Sequence, residues 1–172
     1  LQGKEGMERY RAYRDAMEEH GIPVCDCQVY CGHYNRESGR KAIEYFMKNQ
    51  TPQAIVFAND AMAIGGMERL QQYGYEIPKD IVVTGFDNDE LSAFYIPSLT
   101  TVDRRQEMLG QKAVDLLFDA QSHTSVKLET QILYRESCGC NCQTPKSIRD
   151  LRVEYQNQCL SYEEALDALK SM

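Results

Sequence analysis

The sequence predicts an α/β fold, an open parallel sheet flanked by helices on both faces. Three observations carry that reading. The runs at 54–58 (Ala-Ile-Val-Phe-Ala) and 81–86 (Ile-Val-Val-Thr-Gly-Phe) are short and apolar, as strands buried on both faces are. The segments around them carry apolar residues at helical spacing instead. Strands that alternate with helices pair in parallel, because a parallel pair needs a crossover of about a dozen residues or more.

Each element follows from local chemistry. Residues 7–19 place Tyr10, Tyr13, Ala16 and Met17 at amphipathic spacing, and Gly21 and Pro23 end that helix. Residues 24–30 form a short candidate strand. Ser38 is placed as the N-cap of a helix over 39–48 with Ile43, Phe46 and Met47 facing inward. After the strand at 54–58 comes a helix over 60–73, its buried side made by Met62, Ile64, Met67 and Leu70 and its end marked by Gly74. The strand at 81–86 follows.

Composition excludes several classes. A net charge of −7 over 172 residues does not suit a nucleic-acid surface, which needs clustered Lys and Arg. No apolar run approaches the roughly 18 residues of a membrane span. Seven cysteines make an odd count, and Cys25-Asp-Cys27 and Cys138-Gly-Cys140-Asn-Cys142 lack the spacing of zinc sites. They read as reduced, mostly structural thiols of a cytoplasmic protein. Alternation could still set Cys138, Cys140 and Cys142 on one face of a strand as a crude metal or redox site. No cofactor and no metal are expected.

Both strands stop on polar pairs, Asn59-Asp60 and Asp87-Asn88. In an open parallel sheet, ligands occupy the crevice beyond the carboxyl ends of the strands. Asn59, Asp60 and Asp87 fall there, as does Tyr34 beyond the candidate strand at 24–30. An amide that donates and accepts, a carboxylate and a flat aromatic face suit a polyhydroxylated or heterocyclic ligand better than a metal. Asp60 and Asn88 are expected to cap the helices that follow, and Asn59 and Asp87 to touch ligand.

At these residues the chain resembles a known family. "AIVFANDAMAIGGMERLQQYGYEIPKDIVVTGFDND" followed by "YIPSLTTVDRRQEMLGQKAVDLL" is similar to the effector-binding core of the LacI/GalR family, which shares the type 1 periplasmic-binding-protein fold. The matching features are Asn59-Asp60, the run from Ala61 to Gly65, Gly74 to Asp80, and Gly85-Phe86-Asp87. Residues 97–101 match a crossover strand, 104–119 a helix containing Gly110, and 131–134 a later strand. The resemblance implies effector contacts at Arg9, Tyr34, Asn59 and Asp87, with Arg11 a rival for the role of Arg9. It implies a ligand-sensing domain over 1–140 with the N-terminal subdomain largely absent, closing by hinge motion near 97–101 and 128–134.

Residues 141–172 are expected to form an amphipathic helical connector. Ile148, Leu151, Tyr155, Gln158, Tyr162, Ala165 and Leu169 fall on an a/d seam with one polar position. Taken together, the implied function is small-molecule sensing, a sugar for choice, in a transcriptional regulator. Such a protein would be a homodimer that binds DNA through a headpiece not present in this chain. Two alternatives stand beside it: the sensor of a multidomain signalling protein with an output such as a diguanylate cyclase or kinase, and the solute-binding protein of a transporter. An enzyme is not expected. Asp87 with Asp89 or Glu90 offers a carboxylate pair, but His20, His33 and His123 are scattered and no Gly-x-Ser-x-Gly elbow or Gly-Lys-Ser/Thr loop occurs.

Overall fold

The computed structural model describes residues 3–49, 51–118 and 125–140. Helix α1 spans Lys4–Glu19, α2 Arg36–Asn49, α3 Asp60–Gln72, α4 Glu90–Phe94 and α5 Gln106–Phe118. Strands β1 Ala54–Val56 and β2 Val82–Thr84 pair in parallel, Ile55 opposite Val83. The next chain segment continues that sheet. Thr100 bridges Thr84 in parallel, and strand β3, Thr101–Asp103, then pairs antiparallel with β4, Gln131–Leu133. The regular strands are shorter than the sequence predicts, although Phe57 N still donates to Thr84 O beyond the end of β1 (2.9 Å).

The core lies between α2, α3 and the parallel strands. Ile43, Ile64, Met67, Leu70, Ile81, Val83 and Leu99 are buried, with Phe46 and Met47 packed at the margin. At the end of α3, Gly74 (φ 84°) takes the left-handed turn position that a Cβ disfavours. Helix α5 is different, for Leu109, Val114, Leu117 and Phe118 lie exposed along it.

Several local expectations change. Residues 24–30 form no strand; a turn of 3₁₀ helix occupies Asp26–Gln28. The cause is a disulfide between Cys25 and Cys27, which draws their Cα atoms to 5.3 Å. Two residues apart in a strand they would lie about 6.6 Å apart. Cys25 N also donates to Gln28 Oε1 (3.0 Å), which holds the contracted backbone. The expectation of reduced thiols therefore fails for this pair. Ser38 is not the cap of α2. Asn35 Oδ1 accepts from Ser38 N (2.8 Å), so Asn35 caps and Ser38 is the third helical residue.

Nor does the Cys138 cluster lie on a strand. Glu136–Cys138 is a 3₁₀ turn, Gly139 (φ 78°) reverses the chain, and Cys140 N donates back to Cys138 Sγ (3.3 Å). Cys142 and the predicted a/d seam of 148–169 lie outside the described residues. Among the described residues no cluster of His, Cys, Asp or Glu is arranged to hold a metal, and no helix is long and apolar enough to cross a membrane.

Candidate functional site

Arg9, Tyr34, Asn59 and Asp87 come from four separate segments and line one cavity of 390 Å³ at the carboxyl ends of β1 and β2. Arg104 and the first turn of α1, from Gly3 to Gly6, complete its wall. The sequence reading brings the first four together and omits Arg104.

Backbone geometry singles out the same place. Among the described residues, the non-glycine positions with left-handed φ are Tyr34, Asp87, Asn88 and Arg105. Each lines the cavity or adjoins a residue that does. Such conformations are disfavoured for residues with a Cβ and persist where the surroundings enforce them, often at binding sites.

Arg9 is held from several directions. Its Nη1 donates to Ala58 O (2.5 Å), its Nη2 lies 3.8 Å from Asp87 Oδ1 and 3.6 Å from Glu5, and its guanidinium carbon sits 4.1 Å above the Phe86 ring. Arg11, the rival for this role, is exposed on α1. Tyr34 sits against α1, where its hydroxyl would meet a Cβ at Gly6 at 2.6 Å. A glycine in the first turn of α1 therefore makes room for the ring.

Asn59 takes the capping role that the sequence suggests for Asp60, while still lining the cavity. Asn59 is the N-cap of α3, accepting from Met62 N (3.0 Å), while its Nδ2 donates to Tyr34 O (3.1 Å). It joins the start of α3 to the Tyr34 turn. Asp60 caps nothing. Its buried carboxylate accepts from Thr101 Oγ1 (2.6 Å) and from Asp89 N (2.9 Å). Burial pushes its pKa up to about 6, with Asp89 and Asp87 adding to the rise and the two hydrogen bonds opposing it. Asn88 is not a cap either, because its Oδ1 accepts from Arg135 Nη2 (2.7 Å).

Asp87 sits between two guanidinium groups, with Arg104 Nε 3.1 Å and Arg9 Nη2 3.8 Å from the same oxygen, Oδ1. Neither contact is aligned as a hydrogen bond, so Asp87 Oδ1 and Arg104 Nε are buried polar atoms held by charge alone. Burial raises the Asp87 pKa and the two arginines pull against it. Asp89 and Glu5 add to the rise, but the ion-pair contacts of Asp87 are with Arg104 and Arg9, and Asp89 and Glu90 are exposed, which does not suit an acid–base carboxylate pair. Arg104 had one available signal: it stands just past a strand end, as Asn59 and Asp87 do.

Arg135 fixes the loop beneath. Its Nη1 donates to Ser92 Oγ (2.7 Å) and Leu99 O (2.9 Å), beside the bond from Nη2 to Asn88. Next to it, Glu136 accepts from Ser98 N and Oγ, and Ser137 Oγ donates to Val83 O.

Residues 2–138 match the model of the periplasmic binding protein-like domain. The repressor PurR of Pasteurella multocida is 30% identical over 135 residues, covering 75% of this chain and 40% of its own. The ribose operon repressor of Escherichia coli is 36% identical over 110 residues, covering 63% of this chain and 33% of its own. A sugar-binding transcriptional regulator of the LacI family from Escherichia coli superposes with a TM-score of 0.72 at 25% identity, over 80% of this chain and 51% of that one. The chain thus spans well under half the length of the curated relatives it matches.

Proposed function

Because the chain belongs to the periplasmic binding protein-like domain family, with LacI-family repressors as its relatives, we propose that it senses a small polar effector in a transcriptional regulator of that kind. The observation that carries the proposal is the convergence of Arg9, Tyr34, Asn59 and Asp87 on one cavity at the carboxyl ends of parallel strands. Asp87 and Arg9 supply acceptor and donor for ligand hydroxyl or amide groups, and Tyr34 supplies a flat wall. A sugar is the ligand class for which the ribose repressor and the sugar-binding regulator argue.

The relatives also favour a regulator over an enzyme. In this reading effector binding is the input, and hinge closure through the crossover segments shifts a conformational equilibrium of the whole protein, a homodimer contacting DNA through a headpiece. The test is a thermal-shift screen of the intact protein against sugars and nucleobases, with Asp87→Asn in parallel. A compound that stabilises the wild type and not the variant supports sensing. Equal responses from both proteins, or none from either, would remove the cavity from consideration.

A further inference from the structure

We infer that the effector carries an anionic group, a carboxylate or a phosphate, and that Arg104 is the residue that selects for it. The inference rests on the sensing role proposed above and narrows the ligand class.

The charge at the cavity is opposite in sense to the rest of the chain. The whole sequence carries −7. The cavity is lined by three cationic residues, Lys4, Arg9 and Arg104, against two carboxylates, Glu5 and Asp87, which leaves +1. Both carboxylates already face Arg9, at 3.6 and 3.8 Å. The first turn of α1 adds to the same field. Its cap, Gly3, offers no side-chain acceptor, so the leading amide groups and the positive end of the helix dipole belong to the cavity wall.

Arg104 is the selective element. Its Nε is turned to Asp87 Oδ1 (3.1 Å), and among the described residues that contact is its one ion pair. No hydrogen bond holds either of its terminal nitrogens among the described residues, and its side chain is 38% exposed. A guanidinium anchored at Nε leaves its outer edge as a planar pair of donors, the geometry that receives a carboxylate or phosphate through two parallel bonds. A neutral sugar would leave those donors to water. Arg9 and Asp87 remain for the hydroxyl or amide groups of the same ligand, so the site reads a molecule with an acidic end and a neutral polar body.

Matched pairs test this on the intact protein by calorimetric titration: ribose against ribose 5-phosphate, and glucose against gluconate. The acidic member of at least one pair should bind more tightly, and which pair does so tells phosphate from carboxylate. Arg104→Gln should lower that member's affinity on the order of 10- to 100-fold, as loss of hydrogen bonds to a charged group does. Arg104→Lys should restore part of the loss, and the preference should weaken as salt rises. Neutral members binding as well as or better than acidic ones would overturn the inference while leaving effector sensing in place. Failure of every compound to bind would overturn both.

Discussion

Gly65→Ala and Gly110→Ala are the same substitution in two helix interiors, and the structure predicts opposite signs. In an isolated helix each change should stabilise by about 1 kcal/mol. At Gly110 nothing lies within 4 Å of the added methyl, so Gly110→Ala should stabilise by about 0.5–1 kcal/mol. At Gly65 the new Cβ would lie 2.7 Å from both the carbonyl carbon and the Cα of Arg36, with the Arg36 carbonyl oxygen closer still. Carbon atoms pack at about 3.5–4.0 Å, so α2 and α3 must separate by about 1 Å. The obstacle is backbone and no rotamer change relieves it. Gly39 repeats the constraint from the other helix, its absent Cβ facing Met62 Cα at 2.9 Å. Separation also loosens Ile43, Ile64 and Met67, so an overpacking penalty at or above the usual 1–3 kcal/mol applies. Gly65→Ala should therefore destabilise by about 2–3 kcal/mol, some 3 kcal/mol below Gly110→Ala. Urea unfolding followed by circular dichroism, with both variants beside the wild type, measures this directly. Stabilities for the two variants within about 1 kcal/mol of each other would refute the close crossing of α2 and α3.

Three further predictions follow from the site. Asp60 has its pKa raised to about 6 in the folded state against 3.8 unfolded, so the fold binds the extra proton and stability falls as pH rises from about 4 to 6; between pH 4.5 and 7.5 the drop should be on the order of 2 kcal/mol. Asp60→Asn should remove it, which urea titrations from pH 4.5 to 7.5 would show as a wild-type-minus-variant difference that changes with pH; a constant difference would show that Asp60 ionises normally. Asn59→Ala should cost about 1–2 kcal/mol through loss of the α3 cap, whereas Asn59→Ser keeps an acceptor for Met62 N without adding charge beside Tyr34 O and should lose less, a contrast that thermal unfolding resolves. Arg135→Met leaves Asn88 Oδ1 and Leu99 O without that donor and should destabilise by about 2–4 kcal/mol, far more than the exposed Arg11→Met, in the same denaturant assay.

Regular elements were the most legible part of the sequence, because periodicity reports which side of an element is buried. The α3 stripe of Met62, Ile64, Met67 and Leu70 is buried as its spacing predicts. Local bonding was less legible. Assigning the cap of α3 required knowing whether the first helical residue is 60 or 61, and one residue moved the cap from Asp60 to Asn59. The strand anticipated at 24–30 failed because periodicity does not register a bond between Cys25 and Cys27. Arg9 was singled out by resemblance alone; nothing in the spacing of α1 separates it from Arg11. Arg104 escaped notice because it was counted into the following helix. That helix begins at Gln106, which leaves Arg104 at the strand exit facing Asp87.

In the proposed sensing mechanism, the hydrogen bonds around residues 87–89 would carry an event in the cavity to the segments expected to hinge, near 97–101 and 128–134. Asp87 faces the cavity, and its neighbour Asn88 is tied to Arg135, which also grips Leu99 O and Ser92. From the other side Asp60 joins Asp89 to Thr101. The strained loop is also bonded directly to Thr101 and to Arg135, through Asn88 N and Asn88 Oδ1. A ligand that drew Asp87 away from Arg104 would act on the left-handed backbone at Asp87 and Asn88, and any rearrangement there must break or move bonds to Arg135 and Asp60. Those bonds are buried or half-buried and mutually dependent, so the loop is better suited to two discrete arrangements than to gradual adjustment. Ligand-gated switching requires that property of the element joining pocket to hinge, and a ligand shifts it only by the difference in its affinity for the two arrangements.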